Sequence, residues 1–361
     1  MKSIFKAVFL LLTAIYLFSM TFDGVLIRQM VTVLFLASSL MLFIFNRTYF
    51  SQNVIFGIAI ILIIFSVSAL LSPNDDWKLK IYFIFSGVAF LAFSYALYIL
   101  DYKRYFFHFL LLACALIIIR LLIVHDENLI FFEASRNIVA TFVIFPVACS
   151  FLFILRNRSL LPVAIVTLLM CFLLKGRTAL LISAVILCVA LYKTFGLKGM
   201  LIVVLICSPF LMYVDFSSLN EKIADNTNFS EGLKTTRSVI YDEYFSNFGL
   251  TDLVLGRSFN GMEIINILNN NPHNSFVLIH SLFGLLPVLM LLILFIVVSF
   301  KTFLRYGFIC SLLFAIIPIK AMTDSVLFFN LLDVFYMFPI MLLMNGKRSI
   351  NPIDSKNEGY K

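Results

Sequence analysis

FFHFLLLACALIIIRLLIV, residues 106–124, is nineteen residues long and only His108 and Arg120 interrupt its apolar run. At about 1.5 Å rise per residue a helix of that length covers roughly 28 Å, close to the hydrocarbon thickness of a bilayer. The run is continuous and does not alternate with period two, so it reads as a helix and not as a strand of a membrane barrel. The same pattern recurs on both sides of it, broken at polar clusters. It predicts twelve spans at about 4–20, 29–45, 54–71, 81–100, 106–124, 138–155, 160–174, 179–192, 199–214, 275–298, 306–320 and 326–344. Composition agrees. The chain of 361 residues is 62% hydrophobic with 42 Phe, and 13% of its residues are charged. Its mean hydropathy is +1.05. An average soluble domain is nearer a quarter charged, which excludes the soluble globular classes. The expected fold is an all-α polytopic membrane protein.

The first apolar run, after Lys2 and Lys6, has no small-x-small cleavage site behind it and is read as a retained helix. Loops numbered alternately sort the cations. One side carries Lys2, Lys6, Arg47, Lys103, Arg104, Arg156, Arg158, Lys193, Lys198, Lys301, Arg305, Lys347, Arg348, Lys356 and Lys361, fifteen of the 27 Lys and Arg. The other side's short loops carry Asp23, Asp75, Asp76, Asp126, Glu127 and Glu133. The positive-inside rule makes the first side cytoplasmic and places both termini there. The net charge of +8 is therefore read as topology-setting loop charge and not as a nucleic-acid footprint. Cys114, Cys149, Cys171, Cys188, Cys207 and Cys310 all fall inside apolar runs with no CxxC spacing, so neither a disulfide framework nor a zinc site is expected. The organisation is then helices one to nine over 1–214, a large periplasmic loop over 215–274, helices ten to twelve over 275–344 and a cytoplasmic tail over 345–361. In the loop, Thr236-Arg237-Ser238-Val239-Ile240-Tyr241-Asp242-Glu243-Tyr244-Phe245 predicts an amphipathic helix with Arg237, Tyr241, Tyr244 and Phe248 on one face. Turns are predicted at 226–232, 255–258 and 269–272.

Nucleotide-binding glycine motifs, HExxH and DxD are all missing from the sequence. What remains is a set of outward cations and one histidine. Arg177, in Leu174-Lys175-Gly176-Arg177-Thr178-Ala179, lies between two short spans and so lies recessed below the surface, where an ionisable group is costly and by default functional. The alternative is an Arg that snorkels to the headgroups. Arg237 is either a ligand-facing cation or a solvated partner of Asp242 or Glu243. His273, in Asn271-Pro272-His273-Asn274-Ser275, stands where the loop re-enters the membrane. Asn274 or Ser275 can cap the following helix, and a histidine near neutrality can act as a general base. The plainer reading of His273 is a loop histidine bonded to a carbonyl. Among the other histidines, His280 reads as a satisfied core residue. Arg136 and Arg120 add to an outer cationic cavity or simply snorkel. Lys320 and Asp324 read as a helical pair without function. Several Arg on the rim of a membrane cavity suit a lipid pyrophosphate, because the guanidinium binds phosphate oxygens bidentately. Tyr241, Tyr244 and Phe245 offer sugar rings apolar faces.

Three segments in order, Gly-Arg-Thr-Ala-Leu-Leu at 176–181, Thr-Arg-Ser-Val-Ile-Tyr at 236–241 and Asn-Pro-His-Asn-Ser-Phe at 271–276, with Gly284 following, resemble the O-antigen polymerase and O-antigen ligase superfamily of bacterial inner-membrane glycosyltransferases. The resemblance implies a GT-C-like fold and metal-independent transfer of a glycan from an undecaprenyl pyrophosphate donor, with no cofactor. It implies that Arg177 and Arg237 bind the pyrophosphate and that His273 activates or orients the acceptor hydroxyl. Arg136, Tyr241, Tyr244 and Asn274 are the expected substrate contacts. Partners implied are the undecaprenyl-pyrophosphate-linked oligosaccharide, membrane lipid, a chain-length regulator and a flippase, with no nucleic acid. Many members have Trp where this chain has Tyr241, and only Gly256 and Gly261 remain of a proline- and glycine-rich stretch. The compact, Phe-rich chain looks more like a polymerase than a ligase. A lipid-linked oligosaccharide flippase also has about twelve spans and a cationic cavity, but such transporters often carry internal repeats, and none is evident.

Overall fold

The computed structural model describes residues 1–46, 52–132, 134–153, 157–213, 236–267, 271–328 and 330–344, with backbone alone at a few helix positions. Among them are fifteen α-helices and no strand; one isolated bridge pairs Phe131 with Ala134. In chain order the helices are α1 (Lys2–Ser19), α2 (Val25–Phe45), α3 (Gln52–Leu71), α4 (Trp77–Ile99), α5 (Tyr105–Val124), α6 (Arg136–Phe153), α7 (Asn157–Leu173) and α8 (Arg177–Tyr213). They continue with α9 (Thr236–Phe245), α10 (Leu250–Leu255), α11 (Glu263–Ile267), α12 (Ser275–Phe283), α13 (Leu285–Tyr306), α14 (Phe308–Thr323) and α15 (Val334–Met344), the last preceded by a 3₁₀ turn at Leu331–Asp333.

Six helices of the described residues are long and apolar enough to cross a membrane: Lys2–Ser19, Val25–Phe45, Trp77–Ile99, Tyr105–Val124, Thr178–Gly199 and Leu285–Tyr306. Shorter apolar helices accompany them, among them Phe56–Leu71, Arg136–Leu152 and Phe308–Thr323. The sequence predicts twelve spans; several of them are these shorter helices, and two of the predicted boundaries shift at glycines. The run 275–298 divides at Gly284, whose φ of +76° is left-handed, into the nine-residue α12 and the longer α13. The runs 179–192 and 199–214 fall within α8, on either side of Gly196 with φ +68°. The outer flanks of the bundle expose Leu11, Leu34, Ile63, Leu122, Phe172 and Ile296, as a surface facing lipid does. The chain is membrane-embedded and all-helical.

Where lipid offers no hydrophobic gain between helices, close packing and internal hydrogen bonds must hold them. Rings supply the packing. The Phe35 and Phe9 rings pack tilted against Phe93, with ring centres 4.4 Å and 4.8 Å from it, joining α1, α2 and α4. Phe106, Phe109 and Phe335 repeat the device between α5 and α15. Hydroxyls inside the helices bond back to their own turn, as in Thr13 to Phe9 O, Ser39 to Phe35 O, Ser94 to Phe90 O and Thr302 to Val298 O. Each is thereby satisfied without water. Lys80, fully buried near the start of α4, donates to Ala69 O and Ser72 O and so closes the carbonyl end of α3.

Candidate functional site

The segment 271–275 is fixed by three elements at once. Asn271 Oδ1 accepts the His273 amide at 2.9 Å, and His273 takes a left-handed backbone with φ +50°. Such a conformation is uncommon for a residue with a Cβ, and strained backbone clusters at functional sites. Asn274 caps α12: its Oδ1 accepts the amides of Phe276 at 2.9 Å and Val277 at 3.3 Å. Its Nδ2 donates to the Tyr241 hydroxyl of α9 at 3.1 Å. The Tyr241 hydroxyl in turn donates to Met322 O of α14 at 3.5 Å. The first-turn amides of Phe276 and Val277 are thus taken by the cap, and that of Leu278 by the Asn274 carbonyl.

Ser275 supplies the third tie. Its hydroxyl donates to Asp324 O at 2.8 Å and accepts the amides of Val326 at 3.0 Å and Leu327 at 3.1 Å. The Asp324 carboxylate is paired with Lys320, and both side chains are fully buried. Removing two charges from water costs several kcal/mol each, so such a pair persists only with close geometry around it. Arg177 starts α8, which packs against α14. The side chains of Arg177 and Arg237 lie outside the described residues.

The predicted loop helix forms as α9 over the expected residues, and its buried face carries Ile240 and Tyr244 into a small core with Phe259, Met262, Ile265 and Val277. Tyr244 does not offer a face to a sugar: it is fully buried. Its hydroxyl bonds His280 Nδ1 at 2.7 Å, and His280 Nε2 donates to Leu253 O at 2.9 Å. With Nε2–H donating to a carbonyl, Nδ1 accepts from the phenol, and the ring is neutral. Burial pushes the Tyr244 phenol well above its ordinary value, so it stays protonated as that bond requires. His280 is the satisfied core histidine that the sequence predicts. Arg257 Nη1 donates to Tyr244 O at 2.8 Å, closing the end of α9, and Glu243 accepts the Ile264 amide at 3.2 Å.

Arg136 does not reach the His273 turn in any bond observed among the described residues. It pairs with Glu127 at 3.1 Å, and Lys175 pairs with the same carboxylate at 3.3 Å. Arg120 donates to Ile130 O and Leu129 O, both at 3.3 Å, and borders an open cleft with Thr21, Asn128 and Ser135. An apolar groove of about 390 Å³ runs between α3, α4, α13 and α15, lined by Gly57, Gly87, Leu291, Phe328, Tyr336 and Met341 among others. Phe328, which lines the groove, meets Phe276 of α12 with ring centres 5.4 Å apart. The described residues contain no group of three or more His, Cys, Asp or Glu placed to hold a metal.

Of the predicted residues, His273, Asn274 and Tyr241 come together, Arg136 stands in a separate ion cluster, and Tyr244 is part of the scaffold. The Lys320–Asp324 pair beside Ser275, which the sequence reads as a helical pair without function, helps fix the turn; its signal is an ionisable pair four residues apart at the end of an otherwise apolar helix. No family model, curated protein or solved structure matches this chain.

Proposed function

We propose that the chain is a surface-polysaccharide polymerase of the O-antigen type. It would transfer a growing glycan from undecaprenyl pyrophosphate to the next lipid-linked repeat unit at the periplasmic face of a bacterial inner membrane. In this reading twelve spans, several of them short or broken, form a GT-C-like bundle, and both termini are cytoplasmic. The observation that carries it is the His273–Ser275 turn, held with a left-handed His273 at the capped start of a half-helix by α9, α14 and the residues after α14. An apolar groove, joined to α12 through the Phe328–Phe276 contact, is what an isoprenoid tail needs.

In the reaction His273 takes the proton of the acceptor hydroxyl. The hydroxyl oxygen attacks the anomeric carbon, and the bond from that carbon to the pyrophosphate oxygen breaks. The bonding electrons leave with the pyrophosphate, whose charge the cations Arg177 and Arg237 neutralise. The Asn274 amide orients the acceptor sugar, and the half-buried Tyr241 ring borders the same space.

The test uses purified full-length protein in detergent with undecaprenyl-pyrophosphate-linked repeat units and EDTA. A ladder of products from the wild type, lost in His273→Ala and Arg177→Ala, is expected. A single shift that needs added lipid A core would mean a ligase. Donor bound intact with no transfer to either acceptor would sink the enzyme reading in favour of a flippase.

A further inference from the structure

Away from His273, three charged side chains meet on one oxygen. Glu127 Oε1 lies 3.1 Å from Arg136 Nη1 and 3.3 Å from Lys175 Nζ. Arg136 is the first residue of α6, and Lys175 stands two residues before the start of α8. The two helix starts abut here, since a Cβ placed on Gly176 would lie 3.0 Å from Asn137 Oδ1. One carboxylate oxygen held by two cations beside two helix N-termini is the coordination that a phosphate oxygen finds in an anion site.

The surroundings argue against a cluster built only to hold Glu127. Lys175 carries a left-handed backbone with φ +50°, which a residue with a Cβ adopts at a cost. Ser135 Oγ and Asn137 Oδ1, on either side of Arg136, are shielded from solvent and have no hydrogen-bond partner among the described residues. A purely structural ion cluster gains nothing from unpaired polar atoms at its edge. The side chains are 15% exposed for Glu127, 20% for Arg136 and 42% for Lys175, so the cluster is open to a ligand. Pairs this close to solvent are also individually weak and exchangeable.

We propose that Glu127 is a built-in counter-ion occupying an anion subsite formed by Arg136 and Lys175, and that pyrophosphate oxygens of the donor displace it. The inference rests on the function proposed above, whose donor is a lipid pyrophosphate. A resident carboxylate keeps the two cations apart and oriented while the site is empty. An incoming pyrophosphate carries more negative charge over more oxygens, so it outcompetes the single carboxylate. Glu127 is ionised in the resting protein. Burial pushes its carboxyl up, but the bond from its own amide and the charges of Lys175 and Arg136 outweigh that and hold it low.

The experiment measures equilibrium binding of inorganic pyrophosphate, and separately of farnesyl pyrophosphate, to the full chain in detergent at low ionic strength. Glu127→Gln should bind roughly tenfold more tightly than the wild type, the sum of two weak pairs set free. Lys175→Met, at a half-exposed position, should bind several-fold more weakly with its melting temperature nearly unchanged. Equal tightening for both probes identifies a subsite that reads the anion from either source. Tightening for farnesyl pyrophosphate alone identifies one that reads it as a lipid headgroup. Glu127→Gln binding no tighter for either probe overturns the proposal, and so does Lys175→Met binding as the wild type does. Glycan transfer is assayed apart. A wild type that polymerises but shows no effect of Glu127→Gln loses only the counter-ion. A wild type that makes no polymer loses the function while the binding difference stands.

Discussion

Gly256 and Gly284 meet backbone to backbone, and both are left-handed, with φ +88° and +76°. A Cβ on Gly256 would land on the carbonyl of His280 and lie 3.1 Å from Gly284 N; one on Gly284 would lie 2.8 Å from the Leu255 carbonyl carbon. The contact lets the loop segment after α10 sit on the break between α12 and α13. Gly256→Ala or Gly284→Ala should each cost about 2–4 kcal/mol, from backbone strain and a clash that flexible side chains cannot relieve. Thermal unfolding in detergent and proteolysis of the loop read the effect. A variant with wild-type melting and protection would show that the contact is dispensable.

Tyr244→Phe removes one hydroxyl from a buried chain that runs from Tyr244 through His280 to Leu253 O. The His280 Nδ1 left without a donor costs about 1–3 kcal/mol. Because the ring remains to fill its place among Phe259, Ile265 and Val277, Tyr244→Ala should cost more, about 3–5 kcal/mol. Both should lower stability without changing the donor KM of the folded fraction. A selective rise in donor KM for Tyr244→Phe would instead return the phenol to the substrate site.

Lys320→Met and Asp324→Asn each leave one buried charge or its partner's site uncompensated, and each should destabilise by about 3–5 kcal/mol. The double variant should be far better than the sum of the two, because no lone charge is left behind. A double-mutant cycle on unfolding free energy measures this. Additive losses would mean that the two side chains are not coupled.

Glu127 gives a pH signature. Its carboxyl is held below the usual range because its own amide, Lys175 and Arg136 overcome the upward push of burial. A carboxyl depressed on folding contributes stability that is full above its unfolded value and is lost as pH falls through the folded one. The gap in melting temperature between wild type and Glu127→Gln should therefore be constant near neutrality and close below about pH 4, where glutamate ordinarily titrates. A gap that widens as the pH drops would carry the wrong sign and refute the assignment.

The helices were legible because apolar runs of this length have one solution in a membrane. Helix α9 was legible too, from the spacing of Arg237, Tyr241, Tyr244 and Phe248. The division of 275–298 was not, since a glycine inside an apolar run is equally at home in an unbroken helix; only its contact with Gly256 requires the positive φ. Asn274 as a cap followed from residue type. Its link to Tyr241, and that of Ser275 to Asp324, join parts of the chain between which no periodicity runs. The burial of Tyr244 was hidden for a related reason: an amphipathic helix shows that it has an apolar face, and says nothing about what covers it.

The order in which the chain is made follows from the Ser275 hydroxyl. Its partners Asp324, Val326 and Leu327 lie 49 to 52 positions later. During synthesis the His273 turn emerges well before the residues that fix it. Nascent chains shorter than about residue 327 carry the histidine but no mount for it. The turn is thus fixed in place only when α14 has been made and the chain has turned back, so an interrupted polypeptide leaves Ser275 without its three partners.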